Sequence, residues 1–482
     1  MAPGKPDHDC VGGAQPETGA PKAQLTHLAS HRINASMTAP RQPRTTGVAP
    51  KLANLARVGT LFGARVGGTA LSFGHMLLLF AVAEEAVVGQ VIGGMAVMFM
   101  GALFFSANIE AGAIRYVVRY GSNNEWALVS GFLRLAYTIV IGVSALASLS
   151  IVAALATGWL DWGSTADRVL ILTVAGMSLV ACTRILVEFA TAFDAVTFGA
   201  LPVSLGFPAC LLGTLAVYSA LGAPIAADWL MGLVVLSYAI AAIWQYLLVR
   251  PSYTQAETAR PVFHDWREWL GVGAFLAPTI ALNANLKQLL IAAAGLGLGA
   301  AHLAEFGLAL SILGLLLFAM IAVNMANSYA ISRALQDGDG YLVNEILGQV
   351  AGLKLAALVA GGILTITFGE WVLSLIGDGQ EAAYVPMIAL LLLPAAEAVF
   401  GQAMLILRVT DTNSDVFWSS TFGIVTVVAG TALGGLWGGV LGASLGCGIA
   451  FAATRGLQSV LCIRLTGFDP TVAGLVQRAL AR

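Results

Sequence analysis

Past residue 57 the chain is a nearly unbroken series of apolar stretches of about twenty residues, parted by a few polar or glycine-rich positions. A hydrocarbon layer about 30 Å thick takes ~20 apolar residues to cross as a helix, and irregular backbone is not tolerated facing lipid. The chain is therefore expected to be an all-α, polytopic membrane protein. Twelve spans are predicted, near 66–83, 87–109, 135–157, 169–191, 201–221, 229–249, 270–298, 306–331, 355–372, 385–407, 417–437 and 438–461. These runs are too long and continuous for the alternating strands of a membrane barrel. Charged residues make up 10% of the 482 and hydrophobic ones 58%, against about 25% and 45–50% in soluble domains. A formal net charge of −2 gives no basic field for a nucleic-acid partner.

The few charges are sorted along this pattern. With the N-terminus in the cytoplasm, all 24 Lys and Arg residues fall on the inner face except four. Arg65, Arg184 and Lys287 lie at or within spans, and Arg168 lies in an outer loop. The outer connections carry Glu84, Glu85, Asp161, Asp167, Asp228, Glu370, Asp378 and Glu381 instead. The excess of cations on cytoplasmic loops then predicts both termini inside and an even number of spans.

The longest inner connection, RPSYTQAETARPVFHDWREW (250–269), splits the spans into two sets of six. The expected organisation is a disordered cytoplasmic extension 1–56, a six-helix lobe 57–249, a cytoplasmic linker 250–268, a second six-helix lobe 269–465 and a short cytoplasmic tail 466–482. The lobes show traces of a repeat. EEAVVGQ (84–90) is echoed by HLAEFGL (302–308), and the same shift carries Arg115 onto Arg333. Repeats of this kind place substrate sites at their interface in many transporters.

No phosphate-loop, zinc-protease or nucleophile–base pattern is present, so an enzyme or an ATP-driven pump is not expected. The five cysteines and six histidines show no metal-ligand spacing, and His75 alone of the histidines lies in a span. The informative residues are ionisable groups at membrane depth, which cost free energy unless they face a cavity or a partner. Lys287, in TIALNANLKQLLI (279–291), sits near the middle of the seventh span. Asn283, Asn285 and Lys287 recur every second residue and cannot share one helical face. That fanning suits a kinked or unwound segment beside a wet cavity, with Pro278 as a candidate kink. Arg65 either enters the cavity or snorkels to the interface. Arg184 has Glu188 one turn later, a self-sufficient structural pair. Glu397 could neutralise Lys287 or carry a coupling ion. The glycines of TALGGLWGGVLGASLGCG (431–448) suit close helix packing.

Several segments together resemble the polysaccharide-exporter and oligosaccharide-flippase branch of the multidrug/oligosaccharidyl-lipid/polysaccharide (MOP) exporter superfamily. They are GGTALSFG (67–74), AIRYVVRYG (113–121), AEFGLALS (304–311), FGEWVLSLIG (368–377), AYVPM (383–387) and the closing helix 440–453. The resemblance implies two six-helix lobes around a cavity that opens alternately to either side of a bacterial inner membrane. It also implies, as cargo, a polyprenyl-diphosphate-linked glycan destined for exopolysaccharide or lipopolysaccharide. Membrane lipid and polysaccharide polymerase or export machinery are the implied partners. No cofactor is implied, and H+ or Na+ are candidate coupling ions. A diphosphate needs cationic and hydrogen-bonding partners, which Lys287, Asn283, Asn285 and Arg65 could supply. Two departures stand out: FDAVTFG (193–199) lacks a basic residue common in relatives, and Glu397 replaces a neutral polar group. A cation-coupled drug antiporter of the same superfamily, or a membrane polymerase or ligase, are the alternatives. The first would want an acid deep in span one or seven, and the second a large catalytic outer loop.

Overall fold

The computed structural model describes residues 48–222, 225–377, 379–410 and 413–480. The chain divides into two compact units, Met1–Ala56 and Arg57–Arg482. Of the first, 48–56 are described, and they are helical where disorder was expected. The remainder of that extension lies outside the described residues. All the candidate membrane spans belong to the second unit.

Continuous apolar stretches become long helices, because in lipid every backbone N–H and C=O must be satisfied within the segment. The first lobe contains α1 (Gly63–Val82), α2 (Glu85–Phe105), a short α3 (Ala113–Ser122), α4 (Trp126–Ala156), α5 (Thr165–Ala192), α6 (Val196–Ala220) and α7 (Ala227–Val249). The second contains α8 (Trp266–Asn283), α9 (Leu286–Ala294), α10 (Ala300–Gln336), α11 (Gly340–Ser374) and α12 (Gln380–Phe400). It is completed by α13 (Ala403–Val409), α14 (Asn413–Thr466) and the terminal α15 (Val472–Leu480). Ten of these helices are long and apolar enough to cross a membrane, and α8 with α9 passes the same test as a pair bent by 76°. α14 is two helices joined at Gly438 and Gly439, the latter at φ 59°. With the bent pair as one crossing and α14 as two, the number is twelve, close to the predicted intervals.

Glycines set the closest helix contacts. The two arms of α14 cross so tightly that a Cβ on Gly434 or Gly442 would collide with the carbonyl oxygen of the other, as the small-residue stretch predicted. The lobes themselves meet along α2 and α10. A Cβ at Gly89 would strike the Ala300 carbonyl oxygen, and Gly307 lies against Ile92. The two glycines matched by the sequence repeat therefore occupy opposite sides of one inter-lobe contact. This contact lies toward the end of the bundle carrying Glu84 and Glu85, the acidic end; Arg115 and Arg333 mark the basic end. At the acidic end Gln380 Nε2 also donates to Glu85 Oε1 across the lobes (2.9 Å).

At the basic end the connection between the lobes is strapped to the first lobe. Val262 N donates to the Ala127 carbonyl (3.0 Å), and Ser130 Oγ donates to the Ala259 carbonyl (3.1 Å). Tyr116 and Tyr120, on the buried face of α3, donate to Glu268 Oε1 (3.1 Å) and Asp265 Oδ2 (2.7 Å). Trp269 Nε1 donates in turn to the Tyr120 hydroxyl (3.2 Å). Burial, above all, pushes both phenols up to about 12, so they remain donors throughout the neutral range. Deeper in, Asn108 Nδ2 donates to the Gly273 carbonyl (3.0 Å). Asn108 and its neighbour Ala107 are both left-handed (φ 52° and 48°), a strained conformation for residues with a Cβ.

Candidate functional site

A cavity of about 190 Å³ lies between the lobes. α1 contributes Ser72 and His75, α2 Met95 and Phe99, α6 Phe207, α9 Lys287 and Gln288, and α10 Ser311. Its walls are otherwise aliphatic. α6 reaches it through a π-helical turn, Pro202–Gly206, which accommodates the N–H groups missing at Pro202 and Pro208 and turns Phe207 inward.

The break in the seventh span places Lys287. α8 ends at Asn283, the chain turns through Ala284 and Asn285, and α9 starts at Leu286. The expected kink is present, but six residues beyond Pro278, which sits inside an unbroken helix. Asn285 Nδ2 reaches back to the Ile280 carbonyl (3.4 Å), which also accepts from the backbone N–H groups of Ala284 and Asn285. Two residues into α9, the Lys287 side chain is exposed to the cavity although the residue lies deep between the lobes. Its Nζ donates to Ser311 Oγ (3.0 Å), and Ser311 Oγ donates to the Gly307 carbonyl (2.6 Å). The hydroxyl's one proton is thus committed to the backbone and its lone pair is left for the ammonium. Ser311 therefore aims Lys287 without neutralising it. No carboxylate lines the cavity among the described residues.

The sequence placed Asn283, Asn285, Lys287 and Arg65 in one site; the structure separates them. Asn283 Nδ2 donates to the Thr279 carbonyl (2.8 Å), while its oxygen accepts from Arg455 Nη2 (2.9 Å). Asn285 is buried at the break. Neither lines the cavity. Arg65 is exposed, ten residues before His75 on the first-span helix, which is ~15 Å toward the basic end, and it does not line the cavity either. His75 and Ser311 are the residues the sequence underrated. His75 looked like a lone intramembrane histidine and Ser311 like an ordinary helix serine, because only the packing of three helices brings them to Lys287.

Glu397 does not neutralise Lys287. It accepts from Lys354 Nζ (2.9 Å) and Asn324 Nδ2 (3.1 Å) on Oε1 and faces Arg455 Nη2 (3.1 Å) with Oε2. Lys354 is 0% exposed and Arg455 pairs with the same carboxylate, so both are enclosed within the second lobe. Two cations already surround this carboxylate, leaving no negative charge for a coupling H+ or Na+ to balance. Arg184 needs correction as well. Its Nε pairs with Glu110 Oε1 (2.9 Å) and not with Glu188. Glu110 is 2% exposed, and a desolvated carboxylate from a neighbouring element is a stronger partner than an i, i+4 neighbour worth a few tenths of a kcal/mol, i.e. ~0.3–0.5.

No protein-family model and no curated protein matches the chain. Solved structures do. An inward-facing multidrug-resistance MATE family transporter of the MOP superfamily superposes with a TM-score of 0.68 at 13% identity, covering 83% of this chain and 95% of that one. The lipid II flippase MurJ in an inward closed conformation gives 0.63 at 10% identity, over 87% and 90%. An outward-facing MATE family transporter gives 0.51 at 14%, over 84% and 96%. The chain shares the fold of these three structures.

Proposed function

We propose that this protein is a flippase that moves a polyprenyl-diphosphate-linked oligosaccharide across a bacterial inner membrane by alternating access of its two lobes. Both termini are then cytoplasmic, and the basic end faces the cytoplasm. The observation that carries this reading is the single, uncompensated cation of Lys287 in an inter-lobe cavity with no carboxylate on its described walls. An ammonium held out by Ser311 at membrane depth faces the cavity without a counter-charge, so an anion entering beside it is favoured, and a lipid diphosphate supplies one. At about 190 Å³ the cavity is smaller than the ~300–1,000 Å³ of pockets that enclose drug-sized ligands. It suits the head group, with glycan and lipid outside it in this state. Arg65, exposed nearer the basic end, is then met by the diphosphate on its way in. MurJ, which shares the fold, carries the name of a lipid-linked cargo. A cation-coupled antiporter would want an acid where Lys287 stands.

The test is Lys287→Ala against Lys287→Arg in cells that depend on the protein for surface glycan. Lys287→Ala should insert normally, stop export and leave lipid-linked repeat units on the cytoplasmic leaflet, whereas Lys287→Arg retains part of the activity. Normal export by Lys287→Ala would remove the proposal.

A further inference from the structure

A second polar cluster lies inside the second lobe, built from side chains that do not line the cavity. Lys354, Glu397 and Arg455 carry two positive charges and one negative, and no other charged side chain among the described residues pairs with them. The cluster keeps an excess of one positive charge in the interior of membrane-spanning helices, where charge is costly unless balanced.

The same cluster holds two N–H donors without acceptors, Arg455 Nε and Gln458 Nε2. They belong to a bonded pair one turn apart on the second arm of α14, since Arg455 Nη1 donates to Gln458 Oε1 (3.0 Å). Arg455 Nη2 is already taken by Glu397 and Asn283. Gln458 is 1% exposed, and a donor so buried is rarely left unpaired. Two acceptors of the cluster are open as well: Glu397 Oε2, which already faces the Arg455 guanidinium, and Gln402 Oε1, on another branch where Gln402 Nε2 donates to Asn324 Oδ1.

An uncompensated positive charge and two unpaired donors on adjoining side chains ask for one thing, an acceptor bearing a negative charge. A water would satisfy the donors and leave the charge. Hydrogen phosphate would bring one charge too many, and any phosphate more oxygens than two donors can serve. We propose that Arg455 and Gln458 hold a small monovalent anion, chloride in the cell, as a fixed part of the second lobe. The anion neutralises the cluster and is separate from the cargo cavity.

The full chain, purified in detergent, tests this by thermal unfolding in sodium chloride and sodium gluconate at equal ionic strength. Chloride should raise the unfolding temperature by several degrees and saturably, since a ligand that binds only the folded state stabilises it by mass action. Arg455→Gln should abolish the difference, because Lys354 and Glu397 are then a neutral pair. Gln458→Leu should weaken the apparent affinity about tenfold or more, the loss of one hydrogen bond to a charged group, and it carries the test if Arg455→Gln does not fold. Lys287→Ala should leave the effect intact. Equal unfolding temperatures in the two salts, or a chloride effect unchanged in both cluster variants, would overturn the proposal, as would its loss in Lys287→Ala, which would place the anion in the cavity.

Discussion

Two lysines of the second lobe, Lys287 and Lys354, differ in every respect but residue type. Lys287 is open to the cavity, with a hydroxyl as its protein partner. Lys354 is fully enclosed and donates to both the carboxylate and the backbone carbonyl of Glu397 (2.9 and 3.3 Å). A buried cation with its counter-charge built into the chain is architecture; one whose counter-charge must arrive from outside is a binding site. Membrane depth alone does not separate the two. The origin of the balancing charge does.

The strongest way to break this contrast is to remove the shared counter-ion. Glu397→Gln strands two buried cations and should cost about 3–5 kcal/mol, the usual penalty for breaking a buried pair. The check is loss of monodisperse protein in detergent and a large fall in unfolding temperature. Adding Lys354→Met should restore part of the loss, whereas Lys287→Ala should change stability by less than about 1 kcal/mol. A Lys287→Ala protein as unstable as Glu397→Gln would abolish the distinction. Next in size is Ser311→Ala. It leaves the ammonium in the cavity but unaimed, so transport should fall by roughly tenfold, about one hydrogen bond to a charged group, without loss of folded protein. Full activity would show that Ser311 only packs.

The smallest effect concerns the strap. The phenols of Tyr116 and Tyr120 are raised to about 12 in the folded protein, against about 10 in an unfolded chain. Below pH 10 both states keep these protons and stability is flat. Between pH 10 and 12 the unfolded chain releases them first, so stability should fall as pH rises. The double variant Tyr116→Phe, Tyr120→Phe should lose that part of the decline in pH-dependent unfolding.

Much of the fold was legible because the bilayer imposes a length rule on every span, and because Gly438 and Gly439 mark the one junction with no polar loop. Lys287 was legible for a related reason, a charge that the length rule leaves in the middle of a span. Its surroundings were not. The partners of Arg184 and Glu397 lie 74 and 43 residues away in sequence, on elements whose adjacency comes from packing. Local spacing offers only the i, i+4 neighbour, which is why Glu188 looked like the partner of Arg184 and Glu110 did not. Asn283 misled in the same way. Closeness to Lys287 along the chain suggested a shared site, and the helix break turned the two side chains toward different partners.

The strap at the basic end bears on how load is distributed along the seventh span. Six contacts bind residues 259–273 to the first lobe, while α9 packs against both α2 of the first lobe and α14 of the second. Both sides of the interruption at Ala284 and Asn285 touch both lobes, so a change in the angle between the lobes reaches the break, where the seventh span can bend. Lys287 stands two residues beyond it. A charge beside a fulcrum is swivelled more than it is carried, so the ammonium can alter its heading while staying near the same depth.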